Sequence, residues 1–477
     1  MRPESAAIAR LNLPAQRTDA QGRSRIDWAV IASLAVPFIA NSAIQAVLNL
    51  TDTWFIGRIS TQDVAAIGAV YWLVLVAILL LGGVGLAVQT VVAQAFGARR
   101  YRRAAQATWT ALWGTLLVIP GFAACAWLGH RLLAPFGLDP GIAALAIDYW
   151  QPRVGFAWIG VALWSLLGFF NGIGRPRITL VVTIGTAILN ALLNQLLIFE
   201  LGMGIAGAAW ATNIAMLAGF GLALAIFLGP WIHRSYLSRL TWRLNLTRLV
   251  SQFRLGFPMG LLFAADLLGF ALFQLMQVRL SAVDGAATQI AMMLTSLAYF
   301  PAAGLAMAGT TLVGQSIGAG DRGWARRLGN AVIYAATAYM ALMGVAIALG
   351  GPWLMAWFVA PDDPLAPEVI ALGAFILWIA AAYQLFDGMN LGASFCLRGA
   401  GDAFVPAVMV IVLSWFLFVP VAHMLTFAPG EGWVDGLPQL ALGATGGWIA
   451  AVIYIGALGT TMFLRWRSRA WERLRLR

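Results

Sequence analysis

Residues 91–98 read VVAQAFGA and residues 312–319 read LVGQSIGA, which sets Gln94 against Gln315 at an offset of 221 residues. The same offset relates Pro37, in LAVPFIANS, to Pro258, in LGFPMGLLF. Further on, Gly172 and Gly174 in NGIGRP return as Gly399 and Gly401 in RGAGDA, and Gly204 and Gly207 in GIAG return as Gly443 and Gly446 in GATG. The landmarks recur in order, with spacing stretched by loop insertions. The chain is therefore an internal repeat of two halves, and whatever one half folds into, the other should copy.

Each half is made of apolar runs long enough to cross a bilayer as helices. Of the 477 residues 61% are hydrophobic and 10% charged, too little charge to cover a soluble protein of this length. The runs predict twelve spans, at 28–53, 64–96, 104–129, 144–171, 177–199, 205–229, 255–280, 287–314, 326–350, 369–397, 403–427 and 440–464. Six per half is even, so both halves enter the membrane in the same sense. This is a parallel repeat about an axis normal to the bilayer, an arrangement in which transporters place substrate between two lobes.

All 30 basic residues are arginine, and the net charge is +11. Without lysine the chain has no Walker-type phosphate loop and no Schiff-base chemistry. Arginines crowd residues 1–26, the loops after spans two, four, six, eight and ten, and the C-terminal tail. Arg58 and Arg131 alone fall in the opposite loops, while Arg153 and Arg279 lie within spans. The bias predicts a bacterial inner-membrane protein, multi-pass, with both termini cytoplasmic. The outer loops carry acids instead, among them Asp139, Asp362, Asp363, Glu368, Glu431 and Asp435. The expected organisation is a tail at 1–26, an N-lobe at 27–230, an amphipathic linker helix on the membrane at 231–253, a C-lobe at 254–464 and a tail at 465–477. We expect a monomer, with the lipid bilayer as its surroundings and no nucleic-acid partner.

A carboxylate that persists inside a bilayer marks function, because burying it is costly. Asp266 lies twelve residues past Arg254, about 18 Å into the membrane at helical rise. Asp387, eleven residues before Arg398, lies about 16 Å deep, with Tyr383 one turn away on the same face. Asp52 ends the first apolar run in LNLTDTWFIG, and is either a functional acid or a residue at an outer helix end. Pro37 breaks the hydrogen-bond ladder of its helix and offers a hinge, with Pro258 its counterpart. Asn190 and Asn194 share a face of span five, as glue between helices or as oxygen ligands for Na⁺. Asp148 and Arg153 are expected to pair, Arg279 to reach the outer interface, and some of Trp72, Trp113, Trp158, Trp164 and Phe273 to line a cavity. Gly202, Gly204 and Gly207 spell G-x-G-x-x-G, but no strand precedes them, so they read as a turn. Cys125, Cys396 and the three histidines read as structural.

Taken together, Pro37, T-D-T-x-x-x-G at Asp52, the two glutamine segments, R-L-G-F-P at Pro258 and L-R-G-x-G-D at Arg398 resemble the multidrug and toxic compound extrusion (MATE) family, NorM-like branch, over about residues 27–465. The resemblance implies an all-α membrane fold of twelve helices in two pseudo-symmetric six-helix lobes. It implies a secondary active multidrug efflux transporter, not an enzyme, that exports organic cations or other amphipathic small molecules by alternating access and confers drug resistance. The coupling ion would be Na⁺ or H⁺, with no other cofactor. By the same resemblance a cation site would comprise Asp52, Asn190, the carbonyl of Ala208 and Thr212, with Asn194 beside it and Na⁺ as the metal. Asp266 and Asp387, with Tyr383, would bind cation and substrate in the C-lobe. The family's seventh-span acid is often Glu, so Asp266 is one methylene shorter. The competing readings are a lipid-linked oligosaccharide precursor flippase of the same superfamily, a channel, and a membrane-embedded enzyme, for which no nucleophile or ligand cluster is evident.

Overall fold

The computed structural model describes residues 13–134, 139–359, 364–434 and 436–474. The expected acids Asp362, Asp363 and Asp435 lie outside these. Among the described residues the regular structure is helical, apart from a hairpin of β1 (Gln16–Thr18) and β2 (Ser24–Ile26). The first half contains α1 (Trp28–Gly57), α2 (Thr61–Leu86), α3 (Val88–Gly97), α4 (Tyr101–Trp127), α5 (Gly129–Leu133), α6 (Pro140–Gly155), α7 (Trp158–Gly172), α8 (Pro176–Asn194) and α9 (Gly204–Leu228). A short α10 (Pro230–Tyr236) leads to the second half: α11 (Leu246–Leu280), α12 (Ala282–Gly318), α13 (Arg322–Leu349), α14 (Gly351–Ala356), α15 (Ala366–Ala400), α16 (Phe404–Leu413), α17 (Val419–Thr426) and α18 (Gly443–Arg467).

Eleven helical runs among the described residues are long and apolar enough to span a membrane. The fourth expected span is the pair α6 and α7, bent by 43°, and counting it gives twelve. Helix starts follow side-chain caps that satisfy otherwise orphaned N–H groups: Asp27 for α1, Ser60 for α2, Asp139 for α6, Ser281 for α12 and Asp321 for α13. Outward faces stay apolar and uncovered, as at Leu117, Val181, Ile188, Leu192, Leu342 and Phe416. In water such a surface would be a liability; it is what a lipid environment calls for.

Two expected segments differ. Residues 231–253 are not one amphipathic helix. The chain turns at Leu237, in the left-handed region at φ +53°, makes a short 3₁₀ turn over Ser238–Leu240, and restarts as α11 at Leu246, capped by Asn245. Residues 246–253 are thus the first turns of the seventh span. Two indoles hold this connection against α4: Trp109 donates to the Ser238 carbonyl and Trp113 to the Trp242 carbonyl, both at 2.7 Å. Backbone carbonyls without a ladder are satisfied that way, which a helical reading of the Arg–Leu alternation could not foresee. The described part of the N-terminal segment is likewise packed. Ala15 is buried beside Ile31, Leu312, Trp324 and Leu328, and Trp324 donates its indole N–H to the Pro14 carbonyl at 2.8 Å.

The halves meet in a seam that obeys the sequence repeat atom for atom. Gln94 donates its side-chain N–H to the Gly399 carbonyl at 3.0 Å, and Gln315 donates to the Gly172 carbonyl at 2.9 Å. One turn earlier Thr90 donates to the Arg398 carbonyl and Thr311 to the Asn171 carbonyl, each at 3.0 Å. Gln89 adds donations to Met307 O and Thr311 Oγ1, and Arg398 donates to Leu86 O. The backbones come this close because glycines face each other. A Cβ on Gly97 would collide with the Gln315 carbonyl, and one on Gly318 with the Gln94 carbonyl; Gly83 and Gly256 exclude side chains on each other in the same way. The seam lies toward the ends of α3 and α12, the ends that adjoin the arginine-rich loops.

Candidate functional site

In the first half, three helices bring Asp52, Asn190, Asn194, Ala208 and Thr212 into one cluster. Asp52 sits five residues before the end of α1, half-buried; Asn190 and Asn194 come from α8, and Ala208 and Thr212 from α9. Asn194 donates to the Asp52 carboxylate at 2.6 Å and to Asn190 Oδ1 at 3.4 Å. Asn190 donates to Thr212 Oγ1 at 3.3 Å, and Thr212 donates to the Ala208 carbonyl at 3.0 Å. Asn190 and Asn194 are almost wholly buried, and Asn194 Oδ1 has no hydrogen-bond partner. A buried amide oxygen left unpaired costs about 1–3 kcal/mol, so its persistence asks for a ligand. One carboxylate, amide and hydroxyl oxygens and a carbonyl form a hard-oxygen set that suits Na⁺ or a proton-bearing carboxyl. Among the described residues no three His, Cys, Asp or Glu side chains converge, so a cation here would meet one acid and neutral oxygens.

Directly after Asn194 the helix widens into a π turn over Gln195–Glu200, and the second half repeats the device at Ser414–Phe418. Such turns shift side-chain phase and are common at functional sites. The G-x-G-x-x-G run follows as a turn that leads into α9: Gly202 and Gly204 take φ +64° and +55°, and Gly207 lies within the first turn of the helix. The cluster opens on a cavity of about 230 Å³ lined by Asp52, Tyr71, Tyr149, Arg153, Trp164 and Thr212, among others. Arg153 is buried there and donates to Asn213 Oδ1 at 3.4 Å, whereas Asp148 is exposed. The expected Asp148–Arg153 pair is therefore absent: five residues along a helix turn the two away from each other.

A larger cavity of about 410 Å³ lies in the second half, lined by Asp266 of α11, Tyr299 of α12, and Tyr383, Asp387 and Asn390 of α15. Trp72 and Leu79 of α2 border it as well, so it faces the other lobe. Its charged lining residues are the two acids. Asp266 accepts a 2.6 Å hydrogen bond from Tyr454 of α18, and Asp387 accepts one from Asn390 at 3.4 Å. Tyr383 lines the cavity and packs edge-on to Phe270 at 6.3 Å, while the tyrosine bonded to a carboxylate is Tyr454. Tyr454 itself stacks on Phe418 at 4.9 Å.

Sequence reading passed over Tyr454 and Asn390, and gave Arg153 only a structural pairing rather than a place in the smaller cavity. The spacing Asp387–Asn390 at i, i+3 was a signal for the second. The sign of Tyr454 was weaker: a lone phenol in an apolar span needs a partner. Of the aromatic candidates, Trp72 and Phe273 border the larger cavity and Trp164 the smaller. Trp113 serves the linker and Trp158 packs against the N-lobe core. Arg279 is exposed and lies over Phe427 and Trp433, at 5.8 and 5.9 Å from the ring centres. Pro37 and Pro258 each sit inside an unbroken helix.

Two helical lobes in a membrane, each with an acid-bearing cavity and joined by a seam at one face, are the architecture of a carrier, and comparison with known proteins bears on which. The MatE family model matches residues 37–196 and again 258–424, starting at the two repeat prolines. The chain belongs to the MATE family of membrane transporters; it is not an enzyme. It is 29% identical to the "Probable multidrug resistance protein NorM" of Rhizobium meliloti (strain 1021), over 91% of each chain. It is 31% identical to the protein of the same name from Bradyrhizobium diazoefficiens, over 92% of each. Among solved structures, "Crystal structure of MATE in the straight conformation" superposes with a TM-score of 0.80 at 21% identity, covering 93% of this chain and 96% of that one. "Crystal structure of MATE in the bent conformation" also gives 0.80, at 20% identity and the same coverage.

Proposed function

We propose that this chain is a multidrug efflux carrier of the bacterial inner membrane, exporting organic cations or other amphipathic small molecules in exchange for Na⁺ or H⁺. The observation that carries the reading is the Asp52 cluster, with the unpartnered oxygen of Asn194 inside a set of five oxygen-bearing groups. It supports a cation site in the N-lobe. The larger cavity, bordered by aromatic rings and by Asp266 and Asp387 with no basic residue, favours cationic substrates over a phosphate-bearing lipid precursor. The NorM name of the relatives supports drugs as the cargo.

In this reading the seam closes the cytoplasmic face, where the arginine bias puts both termini, and the cavities open to the other side. A cation entering the Asp52 cluster satisfies Asn194 Oδ1 and changes how α1 packs on α8. Pro37, without an N–H to donate, lets α1 bend as it repacks. A ligand shifts the lobes only by the difference in its affinity for the two arrangements, which the cluster supplies if it forms in one of them alone.

The test is substrate efflux in proteoliposomes under a Na⁺ gradient and a proton gradient imposed separately. Asp52→Asn is expected to abolish the gradient-driven component while substrate binding survives. Asp387→Asn is expected to weaken binding of cationic substrates. Full gradient-driven transport in both variants would overturn the assignment.

A further inference from the structure

A third cavity, of about 260 Å³, lies on the arginine-rich face and is unrelated to either acidic site. Its lining joins the two halves. Gln94 and Arg100, with Arg103 and Thr110 of α4, come from the first; Arg248, Ser251 and Gln252 of α11, with Gly318 at the end of α12, come from the second. Three arginines border it and no acid does, and among the described residues none of the three makes an ion pair. Arg248 donates to the neutral side chain of Gln106, which leaves its charge uncompensated. Gln252 is 4% exposed and its side-chain nitrogen has no hydrogen-bond partner.

Three like charges around one cavity repel, and a buried amide donor with nothing to bond costs free energy. Both costs vanish if an anion with several acceptor oxygens sits between them. Guanidinium groups pair with phosphate oxygens in bidentate geometry, which makes phosphate the matching chemistry. The Ser251 hydroxyl and the Gln252 amide add neutral donors of the kind phosphate sites use, whereas the Thr110 hydroxyl already donates to the Gln106 carbonyl.

We propose that this cavity binds a phosphate group, carried by an anionic phospholipid or free in solution, and that the bound anion fastens the seam. Arg100 and Arg103 belong to one lobe and Arg248 to the other, so the site is whole only while the lobes are together. Gln94, in its lining, is also a donor of the seam. Binding is independent of the transport reading; only its bearing on the transport cycle rests on alternating access.

The experiment uses the full-length protein in nanodiscs and reads the thermal unfolding midpoint. One arm adds inorganic phosphate to phosphatidylcholine discs, against chloride of equal ionic strength. The other replaces part of the phosphatidylcholine with phosphatidylglycerol. A rise in the first arm alone identifies free phosphate, and a rise in the second alone identifies the lipid headgroup; each supports the site if it falls away in Arg103→Gln/Arg248→Gln. We expect apparent affinity to weaken about tenfold for each arginine removed. The control is Arg177→Gln/Arg322→Gln, exposed arginines outside this cavity. Equal loss in the control means general surface attraction and overturns the proposal, as does no rise in either arm. Gln252→Glu supplies its own negative charge: it is expected to raise the midpoint without added anion and to erase the response. An undiminished response in that variant also overturns the proposal.

Discussion

Replacing Gly318 by alanine separates the stability of the lobes from their closure. At the last residue of α12 the change mildly favours the helix, by less than the roughly 0.5–1 kcal/mol that glycine costs relative to alanine in a helix interior. Across the seam it does the opposite. The new Cβ would lie 2.8 Å from the Gln94 carbonyl carbon and nearer still to its oxygen, where ordinary contact is about 3.5–4 Å. The backbones must part by about 1 Å. Hydrogen bonds of 2.9–3.0 Å from Gln94, Gln315, Thr90 and Thr311 then stretch to about 4 Å and are lost. At about 1 kcal/mol net each, some 4 kcal/mol of closure is forfeited, about a thousandfold in the equilibrium between joined and parted lobes. The expected outcome is a protein that still folds but holds this face open, with an unfolding midpoint lowered by no more than the seam contributes. Spin labels at Arg102 and Arg322, one per lobe, on a background lacking Cys125 and Cys396, report the separation, and efflux should fall with it. Unchanged distances together with intact efflux would refute the idea that the glycine contact governs closure. Gly97→Ala, its repeat partner, should behave the same way.

Asn194→Ala removes both the 2.6 Å donor to Asp52 and the unpartnered oxygen, and should weaken cation dependence of efflux about tenfold while leaving the fold intact, as read by concentration for half-maximal drive. Tyr454→Phe removes the hydroxyl bonded to Asp266 and is expected to cost about 1–3 kcal/mol, visible as a lower unfolding midpoint and altered binding of cationic substrates. Asp402→Ala strands Arg465, its partner at 2.8 Å, and should destabilise by about 3 kcal/mol; Asp402→Asn should recover part of that. Gly329→Ala drives a methyl into the ring of buried Trp466, with an expected loss of about 1–3 kcal/mol measured by thermal unfolding.

The twelve-span plan and the repeat were legible because both rest on local facts: run length against bilayer thickness, and arginines that alternate with the spans. The deep acids were legible for the same reason, since a carboxylate in an apolar run stands out whatever surrounds it. Where readings failed, the deciding partner was distant in sequence. The 231–253 segment looked amphipathic, but indoles on α4 hold it broken. Arg153 was given Asp148, five residues away, yet bonds Asn213 on another helix. Tyr454, which no reading singled out, bonds Asp266 from 188 residues away, while Tyr383, one turn from Asp387, lines the same cavity.

By itself the sequence determined that this is a membrane protein of two like halves, and which of its residues are too costly to bury without purpose. That much follows from composition, run length and repetition along one dimension. Which polar groups meet was decided only by tertiary structure, because helix packing chooses partners across the bundle and between lobes. The glutamines and glycines of the repeat show both sides. Their recurrence at a constant offset was plain in the chain. That each glutamine reaches the other half's glycine carbonyl, closing one face of the molecule, required the two lobes to be brought together.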